Sequence, residues 1–278
     1  MNTAPEIAPG TTLADALRQA LLDPLENRIL LTHALGISRV ELITQSERRL
    51  TQQEAQRLSQ LIQRRRAGEP IAYIVGEREF YALALEVNPS VLIPRPETEL
   101  LVELALERLP PHGRVLDLGT GSGAIAIAIA HRRPDAQVSA VDVSEPALAV
   151  AGRNAERHRV HLRLLQGDWY TPLHGERFDL VVANPPYIRA DDKHLAHGDL
   201  RFEPSGALTD RADGLSALRA IVRDAPSHLA PGAWLLMEHG YDQAAAVRQM
   251  LAERNFADVQ SWRDLAQIER VSGARWTG

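Results

Sequence analysis

The tetrapeptide Asn184-Pro185-Pro186-Tyr187 closes an apolar run, Phe178-Asp179-Leu180-Val181-Val182-Ala183, that reads as a buried parallel strand. The Asn side chain presents an acceptor and two donors, and the Pro185 carbonyl is a further acceptor with no N–H of its own beside it. The Tyr187 ring offers a flat face. Together these suit a planar, nitrogen-bearing group such as an amide or an exocyclic amine. Alone, the tetrapeptide fits equally well a strand running into a Pro-rich turn, because Asn-Pro starts turns.

Upstream residues decide between these readings. Val115-Leu116-Asp117-Leu118 followed by Gly119-Thr120-Gly121-Ser122-Gly123 is a strand entering a glycine-rich turn, with a helix at Ala124–Ala130. Glycines there let the chain turn sharply and let a ligand approach the backbone. This is the switch-point position of a doubly wound sheet. Gly119, Gly121 and Ala124 also satisfy a dinucleotide fingerprint, so a nicotinamide cofactor competes with S-adenosylmethionine. Asp142 ends the next strand, where a carboxylate accepts from ribose hydroxyls; Ser144 is available to cap the helix from Glu145, which frees Asp142 for that role. Gly167-Asp168-Trp169 follows the third strand and offers an adenine edge and face. A dehydrogenase also needs a group that handles a proton, and nothing at the fourth strand supplies one. A methyl donor instead needs a nucleophile held in line, which Asn184 and the Pro185 carbonyl can provide for an NH2 group.

These residues require a frame. From Leu100 onward, strands at Arg114–Leu118, Gln137–Val141, His161–Leu165, Phe178–Ala183 and Ala233–Glu238 alternate with helices, which predicts a parallel sheet covered on both faces. Asp258–Trp262 and Arg270–Trp276 are expected to add antiparallel edge strands. The preceding segment reads as helical: Leu13, Leu17, Leu21 and Leu22 recur after Thr11 or Thr12, Leu25–Leu35 and Val40–Ile43 follow, and Thr51 with Glu54 marks a capping box before a helix to Arg66. Alternation around Leu83, Leu85 and Val87, with Asn88-Pro89-Ser90 as the turn, predicts a β-hairpin between the two parts. The expected domains are therefore 1–75 helical, 76–95 hairpin linker and 96–278 catalytic.

The chain of 278 residues has net charge −5 and no cysteine. The first argues against a surface that wraps nucleic acid, and the second removes disulfides, thiolate metal sites and thiol catalysis. No apolar stretch reaches membrane-spanning length, and the opening Met1–Glu6 lacks a signal peptide's regions, so a cytoplasmic location is expected. Arg64-Arg65-Arg66 reads as a solvated helix end complementing the dipole.

With these motifs in place the chain resembles the class I S-adenosylmethionine methyltransferases. More narrowly, it is similar to the protein-(glutamine-N5) methyltransferases that modify bacterial peptide release factors. The likeness spans nearly the whole chain and includes Gly76-Glu77-Arg78-Glu79-Phe80, Ile93-Pro94-Arg95-Pro96-Glu97-Thr98-Glu99, Asp117 to Gly123, Asp142, Asn184 to Tyr187, Arg201-Phe202-Glu203-Pro204, Glu238-His239-Gly240 and Glu269-Arg270-Val271. Asn-Pro-Pro-Tyr is shared with adenine-N6 DNA methyltransferases, whereas the 93–99 segment and 201–204 are much more specific to the glutamine enzymes.

The resemblance implies a doubly wound, Rossmann-like α/β methyltransferase sheet joined through the hairpin to a small helical bundle. It implies S-adenosyl-L-methionine as cofactor, S-adenosyl-L-homocysteine as product, and the Gly-Gly-Gln glutamine of class 1 release factors as substrate. It places Asp117, Gly119, Thr120, Gly121, Ser122 and Gly123 on the cofactor, Asp142 on its ribose and Trp169 beside its adenine. Asn184 bridges cofactor and substrate, and Pro185, Pro186 and Tyr187 complete the glutamine pocket, with Asn184, Pro185 and Tyr187 catalytic. A monomer is expected, with no nucleic acid, membrane or metal required. His239 reads as a structural histidine, Arg95 and Glu97 as substrate-side support, with an ion pair between the two as the alternative, and the loop carrying Asp191, Asp192, His194 and His197 as a mobile lid. Two rivals remain: an adenine-N6 nucleic-acid methyltransferase, and a non-enzymatic docking module, against which the intact site motifs speak.

Overall fold

The computed structural model describes residues 7–19, 22–196 and 198–278. Leu21, His197, the side chain of His194 and the opening segment 1–6 lie outside the described residues. The chain divides into two compact units, one through Gly76 and one from Glu77.

The first unit is helical: α1 (Leu13–Gln19), α2 (Pro24–Leu35), α3 (Arg39–Thr44), α4 (Gln52–Arg66) and α5 (Ile71–Val75). Thr12 rather than Thr11 caps α1, accepting the Asp15 N–H at 3.1 Å. The Thr51–Glu54 box forms as spaced, with the Thr51 N–H donating to Glu54 Oε2 at 2.9 Å. Leu13, Leu30, Leu31, Leu58 and Ile62 build the core of this unit. Two of the three arginines ending α4 are ion-paired within it, Arg64 to Glu69 and Arg65 to Glu26.

The second unit opens with a hairpin, β1 (Glu77–Phe80) and β2 (Leu83–Glu86), paired antiparallel. Its turn is Tyr81-Ala82, not the expected Asn88-Pro89-Ser90, which comes after β2. Both turn residues adopt positive φ, 51° and 59°, the twist that a two-residue hairpin requires. The hairpin docks on α8 (Glu145–His158), where Glu86 meets Arg153, Glu77 meets Arg157, and the His158 Nε2–H donates to the Ala84 carbonyl at 2.8 Å.

The main sheet has seven strands in the order β5-β4-β3-β6-β7-β9-β8. They are β3 (Arg114–Leu118), β4 (Gln137–Asp142), β5 (Arg163–Gln166), β6 (Phe178–Ala183), β7 (Leu229–Glu238), β8 (Ala257–Arg263) and β9 (Glu269–Arg275). The first five run parallel. Of the two strands expected at the edge, only β8 lies there; β9 is inserted between β7 and β8, antiparallel to both. Side chains alternate between two buried layers. Val115, Leu180, Val182 and Leu236 pack against α6 (Glu99–Arg108) and α7 (Ala124–Arg132). Leu116, Leu118, Val181, Leu235 and Met237 pack against α10 (Ser216–Asp224) and α11 (Ala244–Glu253), with the short α9 (Ser205–Leu208) preceding them. Apolar residues on both pleats explain why these strands read as continuous runs.

Candidate active site

The strand order reverses between β3 and β6, so their carboxyl ends flank a crevice at the switch point. The loop after β3 folds over β4: the Gly119 and Thr120 N–H groups both donate to the Val141 carbonyl, at 2.9 and 3.0 Å. Gly121 has φ +55°, a conformation that L side chains rarely adopt. Gly123 is held for a second reason. A Cβ there would lie 2.9 Å from Ile127 and 3.1 Å from Ala151, so it is the contact point of α7 with α8.

A cavity of about 230 Å³ opens between these strand ends. Gly119, Gly121, Asp142, Trp169, Asn184 and Pro186 are in its wall. Asp117, Thr120, Ser122, Gly123, Pro185 and Tyr187 do not line it. A larger hollow of about 830 Å³ sits at the opposite, amino-terminal ends of β3 and β4, lined by Arg114, His131, Arg159 and Arg163 among others. It contains none of the loop or strand-end motifs, so the smaller cavity is the candidate site.

Asp142 accepts the Gly121 N–H through Oδ2 at 2.8 Å and the Ser144 N–H through Oδ1 at 2.9 Å. Ser144 caps α8 through the Ala147 N–H, which leaves Asp142 facing the cavity. Asp117 is fully buried and takes a hydrogen bond from the Thr120 hydroxyl at 2.7 Å; among the described residues no hydrogen bond is formed at Oδ1, although the Ala126 N–H faces the carboxyl and favours its ionised form. Burial raises its pKa to about 7, and the charge of Asp142 adds to the effect. A carboxylate in the cavity wall, with a second one buried near enough to feel its charge, fits a cofactor that combines ribose hydroxyls with positive charge. Trp169 holds φ +46°, a left-handed conformation rare outside glycine, and so brings its ring against the loop.

Asn184 follows β6. Its Nδ2 donates to the Thr98 hydroxyl at 3.3 Å, and among the described residues nothing donates to its Oδ1. Tyr187 donates to Glu238 Oε1 at 3.3 Å. Burial, reinforced by the Glu238 charge, pushes the Tyr187 phenol well above its usual range, which keeps it a neutral donor.

The 93–99 and 201–204 motifs interlock. Arg95 pairs with Glu203, and the Ile93 N–H donates to the same carboxylate at 3.0 Å. Arg95 therefore pairs with Glu203, not with Glu97, which is exposed. Glu99 accepts the Tyr81 N–H at 2.8 Å and so holds the hairpin turn. Asn154 is a site-supporting residue the sequence reading passes over. It is fully buried, and its Nδ2 donates to the Ser122 and Glu86 carbonyls at 2.9 and 3.0 Å, tying glycine loop and hairpin to α8. An Asn inside the apolar stripe of α8 was the available signal.

His239 is buried and structural. Its Nδ1–H meets the Gly240 carbonyl at 2.9 Å and its Nε2 the Ser272 hydroxyl at 2.7 Å; burial lowers its pKa. Asp191 is engaged by Arg189 at 3.1 Å. No helix among the described residues is long and apolar enough to cross a membrane.

A sheet reversed at a glycine loop, with an acidic strand end on one side and Asn-Pro-Pro-Tyr on the other, defines a methyltransferase. The family model described as "Methyltransferase small domain" matches residues 96–201, and that described as "PrmC N-terminal domain" matches 11–76. A solved methyltransferase from Pyrococcus furiosus shares the fold at TM-score 0.55 and 20% identity, covering 78% of this chain and 97% of that one. The release factor glutamine methyltransferase of Burkholderia pseudomallei is 55% identical over 287 residues, covering 100% of both chains. That of Neisseria gonorrhoeae is 50% identical, covering 94% of this chain and 96% of its own. The chain belongs to the release factor glutamine methyltransferase family.

Proposed function

We propose that this enzyme transfers a methyl group from S-adenosylmethionine to the side-chain amide nitrogen of the glutamine in the Gly-Gly-Gln loop of class 1 release factors. The observation that carries the reading is Asn184: it stands in the wall of the switch-point cavity with Oδ1 unengaged and Nδ2 held by Thr98.

When bound, the cofactor supplies an electrophilic methyl group on a sulfonium centre. Asp142 would hold it by accepting from its ribose hydroxyls, Trp169 would cover its adenine, and Asp117, once ionised, would add negative charge near a cationic ligand. An amide nitrogen is a poor nucleophile because its lone pair is delocalised. Catalysis therefore rests on positioning. Asn184 Oδ1 and the Pro185 carbonyl accept the two amide hydrogens, aim the nitrogen and favour positive charge developing on it. Pro186 and Tyr187 shape the slot. The proton leaves after transfer, so no strong base is required early.

The same clamp would hold the exocyclic amine of adenine, but a net charge of −5 does not favour a flipped-base substrate. A release-factor substrate also sets the work in the cytoplasm, without nucleic acid or membrane. Labelled methyl transfer assayed in parallel on purified release factor and on DNA separates the readings. Label in the release factor alone is expected; label in DNA alone would replace this function with the nucleic-acid one.

A further inference from the structure

Glu238 ends β7 one position before the structural His239, and it is only 1% exposed. A carboxylate so deeply buried is costly unless hydrogen bonds or an opposite charge compensate it. Two groups that flank the amide clamp converge on it. Tyr187 donates its phenol hydrogen to Oε1 at 3.3 Å. The Thr98 hydroxyl faces the same carboxyl and favours its ionised form, although Oε2 lies outside the geometry of a formed bond. Thr98 is itself buried, and its Oγ1 accepts from Asn184 Nδ2 at 3.3 Å.

We propose that Glu238 and Thr98 are positioning residues for methyl transfer: Glu238 holds Tyr187 directly by accepting its phenol hydrogen, Thr98 Oγ1 holds Asn184 by accepting from Nδ2, and the Glu238 carboxylate beside Thr98 turns the Thr98 O–H away from Asn184. That fixes which way the Asn184 amide faces. Its nitrogen is committed to Thr98, so its oxygen is presented to the cavity, where the substrate NH2 needs an acceptor. The same relay assigns a task to Thr98, within the 93–99 segment. The inference rests on the amide-transfer reading above.

The ionised state of Glu238 matters, because its charge strengthens the bond from Tyr187 and orients the Thr98 hydroxyl. Burial raises the Glu238 pKa to about 7; Thr98, Tyr187 and the charge of Arg270 on β9 oppose the rise, and Glu97 adds to it. His239, next on the strand, is kept neutral by burial. Turnover should therefore rise with pH through about 7. Asp117 titrates in the same range, so the profile is read as kcat at saturating cofactor.

The test compares wild type, Glu238→Gln, Thr98→Val and Thr98→Ser in methyl transfer to release factor. Glu238→Gln should lower kcat roughly tenfold or more, the effect of removing the charge that strengthens one buried hydrogen bond and orients the neighbouring hydroxyl, with KM for S-adenosylmethionine nearly unchanged. Its kcat should lose the rise near pH 7. Thr98→Val, which keeps shape but not the hydroxyl, should lose a similar factor, and Thr98→Ser should restore most of it. A purely structural role would lower the active fraction but leave the pH profile intact and Thr98→Val no worse than Thr98→Ser; that pattern overturns the proposal. No transfer by the unaltered protein would overturn the amide reading and this one together, whereas normal transfer by Glu238→Gln or Thr98→Val would overturn only this one.

Discussion

The backbone N–H of Gly121 donates to Asp142 Oδ2 across 2.8 Å, so the loop after β3 is tied to the carboxylate that ends β4. Both Asp142 oxygens accept one backbone N–H each, and each retains acceptor capacity, on a residue that lines the cavity. Preorganisation of this kind lets the carboxylate receive hydroxyls without rearranging.

Asp142→Ala should therefore weaken S-adenosylmethionine binding by about 10- to 100-fold, the range for hydrogen bonds to a charged group. Titration calorimetry checks this. Unchanged affinity would remove Asp142 from the site.

Asp117 predicts a pH dependence of stability. Its folded pKa, about 7, is raised above the ordinary 3.8 by burial. Folding thus favours the protonated form. The group's contribution is fully present below 3.8 and is lost as pH rises through about 7. Thermal melts of the cofactor-free protein should fall over that window, and Asp117→Asn should fall less. Because a cationic ligand favours the ionised form, the same variant should bind S-adenosylmethionine more weakly. Identical melting profiles for both proteins would contradict the assignment.

Arg95 and Glu203 lie 108 residues apart in sequence and form an ion pair whose acid is fully buried. Arg95→Ala leaves that carboxylate without its cation and should destabilise the protein by about 3–5 kcal/mol. Adding Glu203→Gln should recover part of the loss, as a double-mutant cycle in urea would record. Strictly additive effects would mean the pair carries no coupling.

Much of this arrangement is legible in the sequence because it depends on local signals. Apolar runs buried on both faces place β3 and β6 residue for residue, and an acid closing β4 marks Asp142. The hairpin turn is not legible. Tyr81-Ala82 carries no Gly or Asn, so its positive φ values are imposed by strand pairing and by the Glu99 bond to the Tyr81 N–H. The insertion of β9 between β7 and β8 is equally hidden, since period-two patterns give strands but not neighbours. Long-range polar partners, such as Glu203 for Arg95 and Asn154 for the glycine loop, leave no spacing to read. Glu238 shows the same signal as Asp142, a carboxylate closing an apolar strand, but its importance emerges only once Tyr187 is seen against it.

Asn184→Ala should lower turnover by about 10²-fold or more, as the loss of a preorganised transition-state contact does, while cofactor affinity stays near normal. Near-normal turnover by this variant would separate Asn184 from the nucleophile.

The most direct measurement is the mass of the Gly-Gly-Gln peptide from a class 1 release factor after incubation with S-adenosylmethionine and this protein, with fragmentation to locate the change. The expected result is one added methyl group on the glutamine side-chain amide, absent when the protein or the cofactor is withheld. An unmodified glutamine, or a methyl group on any other residue, would contradict the account.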